Sequence, residues 1–248
     1  FRSVKDNFIS PLIAAFKIEA VNADSTALVI KVNDIYDGTE TSINNVFTNI
    51  NLGTSAIKNL SRILSIKSFD NNVVATSELT TRVTEGTTTI YVTVEVSSSI
   101  LLLPEVPMTG RLDNPRVGYF TNPLTNFSDG QQRVNKKQFI TRWRLEPRPE
   151  DRAAYLRGEL VEPRKPIVFY IENSTPYRWR KYIKQGIEDW QVAFERAGFK
   201  NAIIAKDITE DMEVDMDDVN YSVLTYAAST KANAMGPSIL DPRSGEIL

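Results

Sequence analysis

The 248-residue chain contains no cysteine and no histidine. Without cysteine there are no disulfides, no thiolate nucleophile, no thiolate zinc site and no cysteine-switch latch, and the redox compartment is left open. Without histidine there is no Ser-His or Cys-His pair and no imidazole-ligated zinc. The side chain most used as a general acid or base near neutral pH is also missing. Chemistry by these residues alone would rest on carboxylates, Lys or Tyr. No apolar run approaches the roughly 18 residues that a membrane-spanning helix needs. The nearest, Ser99-Ile100-Leu101-Leu102-Leu103, is stopped by Pro104. The opening residues, Phe1-Arg2-Ser3-Val4, lack the basic-then-apolar pattern of a secretory leader. An excess of charge of one sign is absent too. Lys and Arg number 29 against 31 Asp and Glu, a net charge of −2, so no general attraction for nucleic-acid phosphates or anionic lipid follows.

What is present is ordinary globular material, 42% hydrophobic and 24% charged, long enough for one large or two modest domains. Residues 1–103 are rich in Val, Ile, Thr and Ser. Alternating runs such as Ala27-Leu28-Val29-Ile30-Lys31-Val32 and Thr88-Thr89-Ile90-Tyr91-Val92-Thr93-Val94-Glu95-Val96 predict strands. Thr84-Glu85-Gly86-Thr87 predicts a hairpin turn between strands at 73–82 and 88–96, Asp37-Gly38 closes an earlier strand, and residues 55–69 have the spacing of a short helix. Residues 104–165 are punctuated by prolines and read as a Pro- and Arg-rich connector, with one strand at 139–145. Residues 166–248 run strand, helix, strand, strand. Here Ser174-Thr175-Pro176 predicts a capped helix start, and Trp179, Ile183, Ile187, Trp190, Phe194 and Ala197 predict one long helix with that face in the core, stopped by Gly198. The expected fold class is therefore α+β, an antiparallel β module followed by a mixed sheet with one long helix.

Four features invite chemistry. Arg133, Lys136, Lys137, Arg142 and Arg144 interleave with Phe139 and Trp143 in the manner of a nucleic-acid groove, but acidic residues share the stretch and the alternation fits a solvated strand face. Asp207, Glu210, Asp211, Glu213, Asp215, Asp217 and Asp218 form an acidic loop with oxygen ligands for calcium. It lacks the turn glycine and terminal glutamate of a calcium loop, which favours a solvated loop. Glu159, Glu162, Glu172 and Glu188 are available for paired-carboxylate hydrolysis, yet no spacing singles out a pair, and Glu188-Asp189 reads as the wet face of the helix. Finally, Asn233-Ala234-Met235-Gly236-Pro237-Ser238-Ile239-Leu240 has Gly and Pro inside a strand-like run. It reads equally as a strand edge able to accept an extended peptide or as a loop closed by the Pro242-Arg243-Ser244-Gly245 turn.

Several segments together resemble a known family. Arg116-Val117-Gly118-Tyr119-Phe120, Phe127-Ser128-Asp129-Gly130-Gln131-Gln132 and Phe139-Ile140-Thr141-Arg142-Trp143-Arg144-Leu145-Glu146-Pro147 are followed by Arg157-Gly158-Glu159-Leu160-Val161-Glu162-Pro163 and Gly186-Ile187-Glu188-Asp189-Trp190. Then come Ala197-Gly198-Phe199-Lys200-Asn201-Ala202-Ile203 and Asn233-Ala234-Met235-Gly236-Pro237-Ser238. In order and spacing they are similar to the large, secreted bacterial zinc-dependent metalloproteases of metzincin-like fold. The resemblance covers 104–248, and the β-rich beginning looks like the uncharacterised domain that precedes the protease in the same proteins.

The resemblance implies that residues 166–248 are the first part of a peptidase domain. The zinc-binding HExxHxxGxxH helix would follow Leu248, an expectation that the ending Gly245-Glu246-Ile247-Leu248, which reads as the opening of a strand, shares. It further implies an extracytoplasmic location, zinc in the full-length parent and none in this chain, no catalytic residue here, and as partners a peptide or protein substrate and the remainder of the catalytic domain. Substrate contact falls to Ala234, Met235, Gly236, Ser238 and Ile239, on the edge strand that pairs with a peptide backbone in that fold. The alternative is a non-enzymatic binding or assembly protein on a protease-like scaffold. Neither reading includes nucleic acid or a membrane span.

Overall fold

The computed structural model describes residues 12–43, 45–52, 55–127, 134–231 and 233–248, so the motif residues Ser128, Asp129, Gly130, Gln131 and Gln132, and Arg133 beside them, lie outside the described residues. The fold is α+β, built of several small sheets and short helices. The chain divides into two compact units, Phe1–Leu102 and Leu103–Leu248.

In the first unit, β1 (Ile18–Val21) and β2 (Leu28–Ile30) form an antiparallel pair, followed by the one-turn helices α1 (Asn33–Tyr36) and α2 (Val46–Asn49). Then come β3 (Arg62–Ser68), β4 (Asn72–Glu85) and β5 (Thr88–Leu101), in the order β3-β4-β5. The β4–β5 hairpin turns at Gly86-Thr87, where the sequence places it, with Glu85 opposite Thr88. Strand β4 is central and carries the burial. Leu79 packs with Phe47 and Ala56, and with Val94 and Val96 of β5. Two local expectations are corrected here. Asp37-Gly38 ends helix α1 rather than a strand. Residues 55–69 form a 3-10 turn (Lys58–Leu60) and then β3, because pairing along β4 satisfies the backbone of Arg62–Ser68 and outweighs the helical spacing.

In the second unit, β6 (Thr121–Asn126) and β7 (Asn135–Ile140) pair antiparallel, and β8 (Arg142–Trp143) follows. The strand expected over 139–145 is thus broken at Thr141, whose amide donates to the Phe120 carbonyl. Helix α3 (Arg152–Leu156) precedes β9 (Ile167–Ile171), which lies in the middle of a three-stranded sheet between β10 (Ile203–Asp207) and β11 (Ser222–Leu224). All three strands run parallel, so this sheet is parallel rather than mixed. Between β9 and β10 lie α4 (Tyr177–Glu188) and α5 (Gln191–Arg196).

The long helix is therefore divided at Asp189-Trp190, where Trp190 N donates to the Ile187 carbonyl, an i→i−3 bond. Pro176 itself is the cap residue, and no side chain caps the start. The expected core stripe is corrected as well. Trp179 is 43% and Trp190 65% exposed, because α4 lies along the edge strand β10 and only Ile183, Ile187 and Phe194 are partly covered. Phe194 joins the small core of Val161, Phe199 and Ala202, against which Tyr155 stacks. Gly198 is required there. It has φ +95°, and a Cβ would lie 2.6 Å from the Tyr155 ring. Trp143 of β8 meets Phe169 of β9 edge to face at 6.2 Å. A last short strand, β12 (Glu246–Ile247), pairs parallel with β8.

Candidate peptide-facing segment and its buried clasp

Residues 233–248 fall into two halves with opposite environments. Ala234, Met235, Gly236, Pro237, Ser238 and Ile239 are all exposed and lie in no strand, so the edge strand expected there is corrected to an irregular segment that pairs with no strand among the described residues. Pairing begins only at Leu240, opposite Ile247. Among the described residues, no backbone hydrogen bond is made by residues 234–238, and the Ile239 carbonyl accepts from Leu248 N at 3.0 Å. Without a backbone partner among the described residues are therefore the amides of Ala234, Met235, Gly236, Ser238 and Ile239, and the carbonyls of 234–238. Pro237 interrupts the donors. The structure thus leaves these five residues together on one exposed stretch.

The other half is closed. Asp241 and Ser244 are fully buried and Glu246 nearly so. The sequence Asp-Pro-Arg-Ser-Gly makes a tight turn for local reasons. The Asp241 carboxylate accepts from Arg243 N at 2.8 Å, Pro242 supplies the second turn position, and Ser244 N and Gly245 N both donate to the Asp241 carbonyl. Gly245 has φ +77°, and a Cβ there would lie 2.7 Å from the Ile140 carbonyl oxygen, so only glycine fits. Ser244 Oγ accepts from Glu246 N at 3.2 Å.

Two arginines hold this turn. Arg243 Nε and Nη2 donate to Asp241 Oδ1 and Oδ2 at 2.9 and 2.7 Å, and Nη2 also reaches the Pro104 carbonyl at 2.6 Å. Arg144 Nε and Nη2 donate to Glu246 Oε1 and Oε2 at 2.7 and 2.6 Å, and Nη2 reaches the Val106 carbonyl at 2.9 Å. The Arg243 guanidinium holds the Asp241 carboxyl below its ordinary value despite burial, with Arg144 adding to the effect. The Glu246 carboxylate in turn raises Arg144. Arg142 donates to the Thr109 carbonyl at 2.8 Å, and burial lowers its pKa, helped by Arg111 and Arg144 nearby. Asn122 Nδ2 donates to the Pro242 carbonyl at 3.0 Å.

The other candidate residues are dispersed. Glu159 pairs with Arg157, Glu162 binds Arg148 and Asn201, and Glu172 accepts from Ser174. Glu188, read as part of a wet helix face, accepts from the Ala205 amide on β10. Asp207 belongs to β10 and pairs with Lys184, while Asp211, Asp215 and Asp218 accept hydrogen bonds from their own loop. Among the described residues, no group of three or more Asp or Glu is placed to hold a metal ion, and the chain has no His or Cys. The donor set here does not fit a catalytic zinc. No helix among the described residues is long and apolar enough to cross a membrane.

The two buried carboxylates of the turn are each committed to a guanidinium, whereas residues 234–239 are exposed. Sequence reasoning missed Asp241, Ser244, Glu246 and their arginines as a unit. The signal was the Asp-Pro-Arg-Ser-Gly-Glu string, which shows a turn but not its burial.

No curated protein matches this chain, and no solved structure does. A family model described as a domain of unknown function, DUF5117, matches residues 1–148, which include the first unit, β6, β7, β8 and Arg144. That match spans more than half of the sequence, and the chain belongs to the DUF5117 family.

Proposed function

We propose that this chain is the peptide-gripping part of an extracytoplasmic zinc-dependent metalloendopeptidase, with residues 234–239 forming one wall of the substrate cleft. The single observation that carries the reading is the exposed stretch 234–238, which makes no backbone hydrogen bond among the described residues and lies beside a turn held by two arginine–carboxylate pairs, since extended peptides are recognised by adding a strand to such a stretch. The resemblance of residues 104–248 to secreted metalloproteases supports it. Ala234, Met235, Gly236, Ser238 and Ile239 are the substrate-binding residues of this proposal. The residues that would hold zinc are not in this sequence, and no catalytic step is assigned to it.

The test is a peptidase assay on the product of the full natural gene, with chelator and with zinc restored. Cleavage that disappears with chelator and returns with zinc is the expected result, with the 248-residue chain inactive alone. Hydrolysis by the 248-residue chain itself, or cleavage indifferent to chelator, overturns the proposal. The second reading is a non-enzymatic binding or assembly protein on a protease-like scaffold. A natural gene without an HExxH motif downstream selects it.

A further inference from the structure

We infer that Arg144 and Arg243 are positioning residues that fix where residues 234–239 present their open backbone; the inference rests on the peptide-binding reading above. The two guanidinium groups repeat one geometry. Each holds a buried carboxylate of the turn through two nitrogens, Arg144 on Glu246 and Arg243 on Asp241. Each then spends its Nη2 a second time on a carbonyl of the same short stretch, Val106 and Pro104 respectively. Two forks, reaching carbonyls two residues apart, thus staple the 241–246 turn to 104–106, and β8 holds its far side through Glu246↔Arg142 and Ile247↔Trp143.

The exposed segment leaves this turn directly. Ile239 is tied to Leu248 by a backbone bond and Leu240 to Ile247 by a bridge, and residues 234–238 have no backbone anchor among the described residues. The register of the turn therefore sets which amides of 234–239 face a peptide, and a one-residue slip would exchange its faces. A planar fork can serve a carboxylate and a carbonyl at fixed angles, whereas a lysine ammonium is a point charge on a flexible stem that does not keep both. Loss of the fork leaves the charge balance intact but frees the segment's exit, so a peptide must order the segment as it binds.

The experiment uses the 248-residue chain and its Arg144→Lys and Arg243→Lys variants. Amide order is followed by NMR at Ser238, Ile239 and Leu240, exchange at the Leu248 and Asp241 amides that donate to the Ile239 and Glu246 carbonyls, and affinity is titrated with a blocked, uncharged decapeptide of alternating Ala and Thr. The expected result is faster motion at the first three amides, faster exchange at Leu248 and Asp241, and a roughly tenfold weaker peptide in each variant, while β9 and β10 amides keep their protection. An Arg144→Glu/Glu246→Arg double variant, which exchanges the partners, recovers part of both. Unchanged order and affinity in the lysine variants overturn the inference. Loss of protection throughout β9 and β10 also overturns it, because the forks would then serve the fold alone. A wild-type chain that ignores the peptide overturns the docking reading, and amide order still decides whether the arginines set the segment.

Discussion

Residues 233–239 and 240–248 are continuous in sequence and opposite in fate. The first stretch carries Met235 at 83% exposure and makes almost no backbone hydrogen bond among the described residues. The second buries Asp241 completely and pairs each of its charged side chains. Hydrophobicity does not separate them, since the buried half is the more charged. What separates them is partnership. Arg144 and Arg243 offer charged forks to Glu246 and Asp241 and so make carboxylate burial tolerable, whereas nothing among the described residues pairs with 234–238.

The largest break in this comparison comes from one substitution made twice. Gly245→Ala places a methyl 2.7 Å from the Ile140 carbonyl at φ +77°, so either β7 or the turn must move. Left-handed strain and the clash together are expected to cost about 3 kcal/mol. Gly236→Ala meets nothing within 4 Å, its φ is not in the left-handed region, and it should change stability by less than about 0.5 kcal/mol. Denaturant unfolding followed at Trp143 compares the two, and equal effects would erase the distinction between the halves.

Arg144→Ala comes next. It leaves the Glu246 carboxylate, 9% exposed, without its counter-charge, and stranding a charge of this kind costs about 2–4 kcal/mol. Glu246→Gln keeps a hydrogen-bonding partner of similar shape and should cost less than half of that. Hydrogen exchange at the Arg142 and Asp241 amides, which donate to Gly245 and Glu246 carbonyls, reads the local loss without requiring the two units to unfold together.

Acid sharpens the same comparison more gently. Asp241 has a folded pKa below its unfolded value, chiefly through Arg243, with Arg144 assisting and burial opposing. Between the two values the unfolded chain binds more protons, so this contribution is complete above about pH 4, the ordinary aspartate range, and is lost as pH falls through the folded value. Amides of the 241–246 turn should therefore begin to exchange faster below about pH 4, and an Asp241→Asn chain should lack that step. Exchange at 234–238 should not respond.

The difference between the two halves also explains what was readable from the sequence. The β4–β5 hairpin was legible because alternation and a Gly-Thr turn are local signals that agree. Residues 55–69 and the strand at 139–145 were misread at the level of elements, since β3 depends on β4 for its partner and the break at Thr141 depends on Phe120. The helix period correctly located α4 and α5 but overstated their burial, because a period shows which residues share a face and not whether anything covers it. For the site, the exposed residues were named and the clasp was not. Glu246 and Arg144 are 102 positions apart, and no local pattern announces a pair at that separation.

The smallest structural effect carries the most about function. Met235→Ala removes a side chain that is mostly in solvent, so neither folding nor exchange in the clasp should change beyond about 0.5 kcal/mol. If the segment grips peptides through its backbone alone, affinity for an extended peptide should be equally indifferent. If Met235 also shelters a substrate side chain, affinity should fall about three- to tenfold, in line with the apolar area one such contact removes from water. Ser238→Pro separates the contributions further, since it deletes one of the five amides that 234–239 offers while adding apolar surface. A peptide that binds Ser238→Pro as tightly as wild type would remove the backbone from the recognition, and with it the reason to treat this stretch as the wall of a cleft.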